Sequence, residues 1–165
     1  MFSLSCSISI SKAVVVGSHF LVWISSAIVA GITAYFLNDF PHDTHLVFEM
    51  VISALVLGFW LPSFVVPFLD AYKFFYAPLN FIFSYLWLTA FIFAAQDYNI
   101  SECEYTAPFG GKCAYKLTGE SFMFIGLFFT IVAFLTEVMS WKLAATAATP
   151  AAQKEARQSV ESTGV

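Results

Sequence analysis

Charge is what this sequence has least of. Only 11% of its 165 residues are charged, against about 25% in a soluble domain. So few charges do not cover a water-exposed surface, so lipid is the expected solvent for most of the chain. No basic run or patch is present and the net charge is −4, which excludes nucleic acid as a partner. Three cysteines are too few for a disulfide scaffold and enough for one bridge. Nucleophile elbows, paired-Asp motifs, Cys-x-x-Cys, His-rich boxes and internal repeats are all missing. The expectation is a non-enzyme with no catalytic residue, no cofactor and no metal.

In place of charge the chain carries 59% hydrophobic residues, 20 of them Phe. A hydrocarbon core about 30 Å thick needs about 20 apolar residues in a helix. Four stretches reach that length: 14–37, 46–69, 75–95 and 121–141. Their apolar runs are continuous rather than alternating, which favours helices over barrel strands. The first has no basic leader beyond Lys12 and is too long for a cleaved signal, so it is read as a retained span. The expected fold is an all-α membrane protein, a four-helix transmembrane bundle. It is flanked by a short N-terminus, 1–13, and an Ala-, Thr- and Ser-rich flexible tail, 142–165. Pro62 and Pro67 inside the second span predict a kink, or for Pro67 the helix end.

Basic residues set orientation. Lys12, Lys73, Lys142, Lys154 and Arg157 fall on the side of the termini, and Lys112 and Lys116 on the other. Five against two places both termini in the cytosol, in a multi-pass protein of the plasma membrane or a secretory-pathway membrane. The second lumenal loop, 96–120, then holds the sequon Asn99-Ile100-Ser101, a candidate glycosylation site whose closeness to span three works against use. It also holds Cys103 and Cys113, with nine residues between them, which an oxidising lumen would join in a disulfide, free thiols being the alternative. Cys6, cytosolic and close to a span, is a candidate for palmitoylation.

Helices associate in lipid by close packing and polar contacts. Ser26, Ala27, Ala30, Gly31 and Ala34 form a small-residue face on span one, and Ala54 and Gly58 one on span two. These faces are expected to pack together. His19 and Asn80 are each sixth from the cytosolic end of their spans and Glu137 is fifth, so three polar side chains share one depth. Such residues usually face the interior and pair. A His19–Asn80–Glu137 network is the expectation, against Glu137 reaching back to the interface. Trp23, Trp60 and Trp87 near mid-depth point to an internal aromatic layer. Glu49, four residues after His45, completes H-D-x-H-x-x-x-E, a spacing that matches no strong metal motif. A hydrogen bond from Glu49 between loop and helix is expected there.

The four-span layout, the segment Tyr85–Ala95 (YLWLTAFIFAA) and the cysteine pair in a long second lumenal loop together resemble the MARVEL-domain family, more closely its fungal branch. The matching residues are Trp87, Ala90, Phe91, Cys103 and Cys113, with Glu49 at the head of span two. The resemblance covers about residues 12–141. It implies a non-catalytic membrane-organising module concerned with membrane microdomains, apposition or vesicle trafficking. The expected partners are the lipid bilayer and either further copies of the chain or other membrane proteins. The alternative is a subunit of a small oligomeric channel or transporter, motivated by the intramembrane polar residues.

Overall fold

Residues 2–41, 43–61, 76–99, 108 and 110–162 are described by the structure, a computed structural model, with backbone alone for 2–9, 76, 143–144 and 147–162. Among them lie four α-helices and no strand: α1 (Phe2–Asp39), α2 (Thr44–Trp60), α3 (Tyr76–Asn99) and α4 (Cys113–Ser162). Three stretches are long and apolar enough to cross a membrane: Ile10–Asp39, Ala77–Asn99 and Cys113–Lys142. The chain is an all-helical bundle with membrane-spanning character.

Each helix turns one stripe inward, and the stripes share one rhythm. The buried positions advance by three and four residues in turn: Leu46, Glu49, Ser53, Val56 and Trp60 on α2, and Lys116, Gly119, Met123, Gly126, Thr130 and Ala133 on α4. The α1 series Val15, Val22, Val29 and Phe36 repeats every seven residues. A seven-residue repeat keeps a slightly supercoiled helix facing its neighbours along its length. α1 packs on α2 and α4, and α3 on α4 and, less extensively, on α2. Paired contacts run in opposite order along sequence neighbours, Ser26 with Ser53 and Thr33 with Met50, Trp60 with Phe83 and His45 with Asp97, Asn80 with Glu137 and Asn99 with Glu120, so these helices are antiparallel.

The core is centred on Trp60 and Trp87, which bring the aromatic layer inside. Trp60 meets the Phe83 ring edge-on at 4.8 Å. Trp87 lies flat over Gly126, where an added Cβ would stand 3.1 Å from the indole Cε2. Trp23 packs at the margin of this cluster, half-buried.

Helix ends differ from the expected span ends at several places. α4 begins at Cys113 and α3 reaches Asn99, so much of the 96–120 loop is helix. Residues 2–13 continue α1 as helix, and 142–162 continue α4 as helix. The tail is rich in Ala, the best helix former, and extends a helix already nucleated in the bundle. α2 has 17 residues, about 26 Å at 1.5 Å per residue, and the rest of the expected second span, 62–69, lies outside the described residues. The kink expected at Pro62 and Pro67 falls outside the described residues.

The small-residue faces also differ. Ser26 is buried and donates to the Ser53 carbonyl at 2.6 Å, joining α1 to α2. Ala30 is half-buried, but Ala27, Gly31, Ala34, Ala54 and Gly58 are exposed, and nothing lies within 4 Å of a Cβ built on Gly31 or Gly58. A strict four-residue step advances about 40° beyond a full turn each time, so such a stripe winds off the contact that a three-and-four rhythm holds.

Candidate functional site

Two polar layers lie inside this apolar bundle. The first lies where α3 starts and α2 ends. Asn80, in the second turn of α3, is fully buried on that helix's inward stripe. Its Nδ2 donates to Glu137 Oε2 of α4 at 3.1 Å and lies 3.3 Å from His19 Nε2 of α1. One amide NH2 has two hydrogens and can serve both neighbours when His19 Nε2 is the unprotonated ring nitrogen. The three residues singled out by depth are thus brought together, and three helices are tied at one point. The His19 ring meets the edge of Trp60 at 5.7 Å, which adds α2 to the layer. Asn80 Oδ1 is buried and has no hydrogen-bond partner among the described residues. Chemically the layer clamps helices. Asn80 stands between imidazole and carboxylate, and an amide NH2 does not hand a proton across.

The second layer closes the end of the bundle where α1 and α3 stop and α2 and α4 start. Asp43 caps α2, its side chain accepting from the Thr44 amide. His45 Nδ1 lies 3.0 Å from Asp97 Oδ2, and its ring stacks on Phe93 at 4.2 Å and 6°. Glu49 is buried and accepts from the Tyr98 hydroxyl; its Oε2 has no hydrogen-bond partner among the described residues. Lys116, one turn into α4, is fully buried, with Nζ 5.9 Å from the centre of the Tyr98 ring and Asp97 near enough to attract it. Asp43, Leu46, Glu49, Asp97, Tyr98 and Pro108 line a cavity here with room for about one water. Such a water would supply the donor that Glu49 Oε2 lacks.

The turn into α4 depends on two glycines. Gly110 sits at φ +83°, in the left-handed region that favours glycine. A Cβ on Gly111 would meet Lys116 Cε and the Pro108 carbonyl, each at 3.0 Å. The bare backbone at Gly111 therefore lets the lysine stem pass inward.

The bond expected between loop and helix at Glu49 instead runs from helix to helix, to Tyr98. Asp97, Tyr98 and Lys116 were not singled out in the sequence, although each is a rare polar residue beside an apolar run. Asn99 Nδ2, the atom a glycan would modify, donates to Glu120 Oε1 at 2.8 Å on the exposed surface. Cys113 is disulfide-bonded. Cys103 lies outside the described residues, as does the side chain of Cys6, the palmitoylation candidate. Among the described residues no group of three or more His, Cys, Asp or Glu side chains is arranged to hold a metal ion.

Comparison with protein-family models, curated proteins and solved structures finds no match to this chain.

Proposed function

We propose that this chain is a non-catalytic membrane-organising protein of the MARVEL type, acting by lateral self-association or lipid association. The observation that carries the reading is the exposure of Ala54 and Gly58 on α2, with nothing over Gly58. In lipid, small residues at four-residue spacing let two backbones approach closely. The intrachain contacts leave this face open, so a second copy is its natural partner.

In this reading the chain spans the membrane four times, 46–69 being the second span, with both termini in the cytosol. Cys113 pairs with Cys103 across the lumenal loop, and the membrane is the plasma membrane or one of the secretory pathway. The experiment is live imaging of a C-terminally tagged copy in its source cell, beside a Gly58→Leu variant. Discrete, slowly exchanging patches that the variant disperses support the organiser. An even, freely diffusing signal from the unaltered chain rejects it.

The His19–Asn80–Glu137 layer favours a second reading, a subunit of a small oligomeric channel or transporter. Ionisable side chains inside a span often mark an ion or substrate path. Flux through proteoliposomes that falls in Glu137→Gln supports this reading, and absence of any flux removes it.

A further inference from the structure

A groove runs down the outer surface between α1 and α4, at the end where α1 stops and α4 starts. Its volume is about 440 Å³, within the roughly 300–1,000 Å³ usual for small-molecule sites, and Gly31, Ile32, Tyr35, Lys112 and Tyr115 line it. Two glycines open it. Gly31 presents bare backbone with nothing within 4 Å of its missing Cβ, and Gly119 lets Ile32 sit against α4, 3.7 Å from where a Cβ would be. The inner part of the groove is therefore apolar and shallow.

Its upper rim is different. The Tyr35 and Tyr115 rings meet edge-on at 5.7 Å, one from each helix. Lys112 Nζ stands 5.9 Å from the centre of the Tyr115 ring, and Lys112 is exposed and makes no ion pair among the described residues. Lys112 directly precedes the apolar stretch Cys113–Lys142, so its ammonium sits at headgroup depth. Tyrosines at that depth are ordinary interfacial anchors, and basic pockets between spanning helices hold lipid headgroups. One cation, two phenol hydroxyls and an apolar channel below them match a single kind of molecule.

We propose that this groove binds one phospholipid, its phosphodiester on Lys112 and the two tyrosine hydroxyls and an acyl chain lying over Gly31 and Ile32. The proposal rests on the membrane-organising reading and deepens its lipid arm. The groove uses the Gly31 surface of α1, which leaves the Ala54–Gly58 face of α2 for self-association, so the two can be tested apart.

The test uses the full chain in nanodiscs containing phosphatidylglycerol, phosphatidylcholine and diacylglycerol in equal parts, released and weighed by native mass spectrometry. The unaltered chain is expected to retain one phospholipid, of either headgroup since both carry the phosphate, in preference to diacylglycerol. Gly31→Leu fills the channel and Lys112→Glu repels the phosphate. Each is expected to lower the retained fraction at least fivefold, while Lys112→Arg keeps it. A lipid-free wild-type chain, diacylglycerol held as well as phospholipid, or retention unchanged in both variants overturns the proposal. Copy number counted in the same bilayers separates the two readings: the groove variants leave it unchanged if only the lipid site fails, and Gly58→Leu lowers it while the lipid stays bound.

Discussion

The Asn80 amide of α3 donates to the Glu137 carboxylate of α4 at 3.1 Å, inside a largely apolar bundle. In water this bond would compete with solvent. In hydrocarbon the alternative is an unsatisfied amide and carboxyl group, so the pair fixes the register of two helices as well as adding stability. Interhelical polar pairs in membranes average about 0.6 kcal/mol and reach about 1.7. A double-mutant cycle of Asn80→Ala and Glu137→Ala, read by unfolding in detergent, is expected to give a coupling of about 1 kcal/mol. Independent, additive effects would sink the clamp.

Gly126 supplies the flat seat for Trp87. A Cβ there would stand 3.1–3.3 Å from three indole atoms, and Trp87 is itself fully buried and has no room to withdraw. Gly126→Val is expected to lower stability by about 1–3 kcal/mol, the usual effect of overpacking. The same substitution at Gly58, open to the bundle's outside, is expected to leave monomer stability within about 0.5 kcal/mol. Equal losses at the two sites would contradict the packing described for α3 and α4.

Asp97 holds the polar end of the bundle together, touching His45 and attracting the buried Lys116. Removing the carboxylate beside a buried cation leaves its charge uncompensated, so Asp97→Ala is expected to lose about 3 kcal/mol. Asn99→Ala breaks only the exposed bond to Glu120 and is expected to lose about 0.5 kcal/mol. Thermal unfolding of the two variants side by side checks the order, and an equal or reversed ranking contradicts it.

The proposed Cys103–Cys113 pairing predicts a shared electrophoretic shift. Closing so short a loop removes about 2.5–3 kcal/mol of unfolded-state entropy. Cys103→Ser, Cys113→Ser and the double variant should all migrate like the reduced wild type on a non-reducing gel, and Cys6→Ser like the oxidised one. A Cys6→Ser band at the reduced position would assign the partner of Cys113 to Cys6.

The helices and the His19–Asn80–Glu137 layer were legible in the sequence because both follow from the hydrocarbon slab. Its thickness fixes how many apolar residues a span needs, and equal depth brought His19, Asn80 and Glu137 together before any contact was known. The inward faces were harder to read. Lipid is as apolar as the core, so hydrophobicity does not separate Val22, buried, from Leu21, exposed. The small-residue stripe of Ala27, Gly31 and Ala34 therefore passed for an internal contact. A better signal was the polar one: Ser18, Ser25, Ser26 and Thr33 are all buried, because a hydroxyl group avoids lipid where it can. The end layer was missed because Asp97 and Lys116 fall in the stretch 96–120 read as a loop, whereas α3 and α4 extend past the apolar runs and carry both into the bundle.

The central claim, that copies of this chain meet through the Ala54–Gly58 face of α2, is tested most directly by counting photobleaching steps of single, fully labelled complexes in dilute lipid vesicles. The account predicts two or more steps per spot for the unaltered chain and one for Gly58→Leu. Single-step spots from the unaltered chain, at every protein-to-lipid ratio, would contradict it.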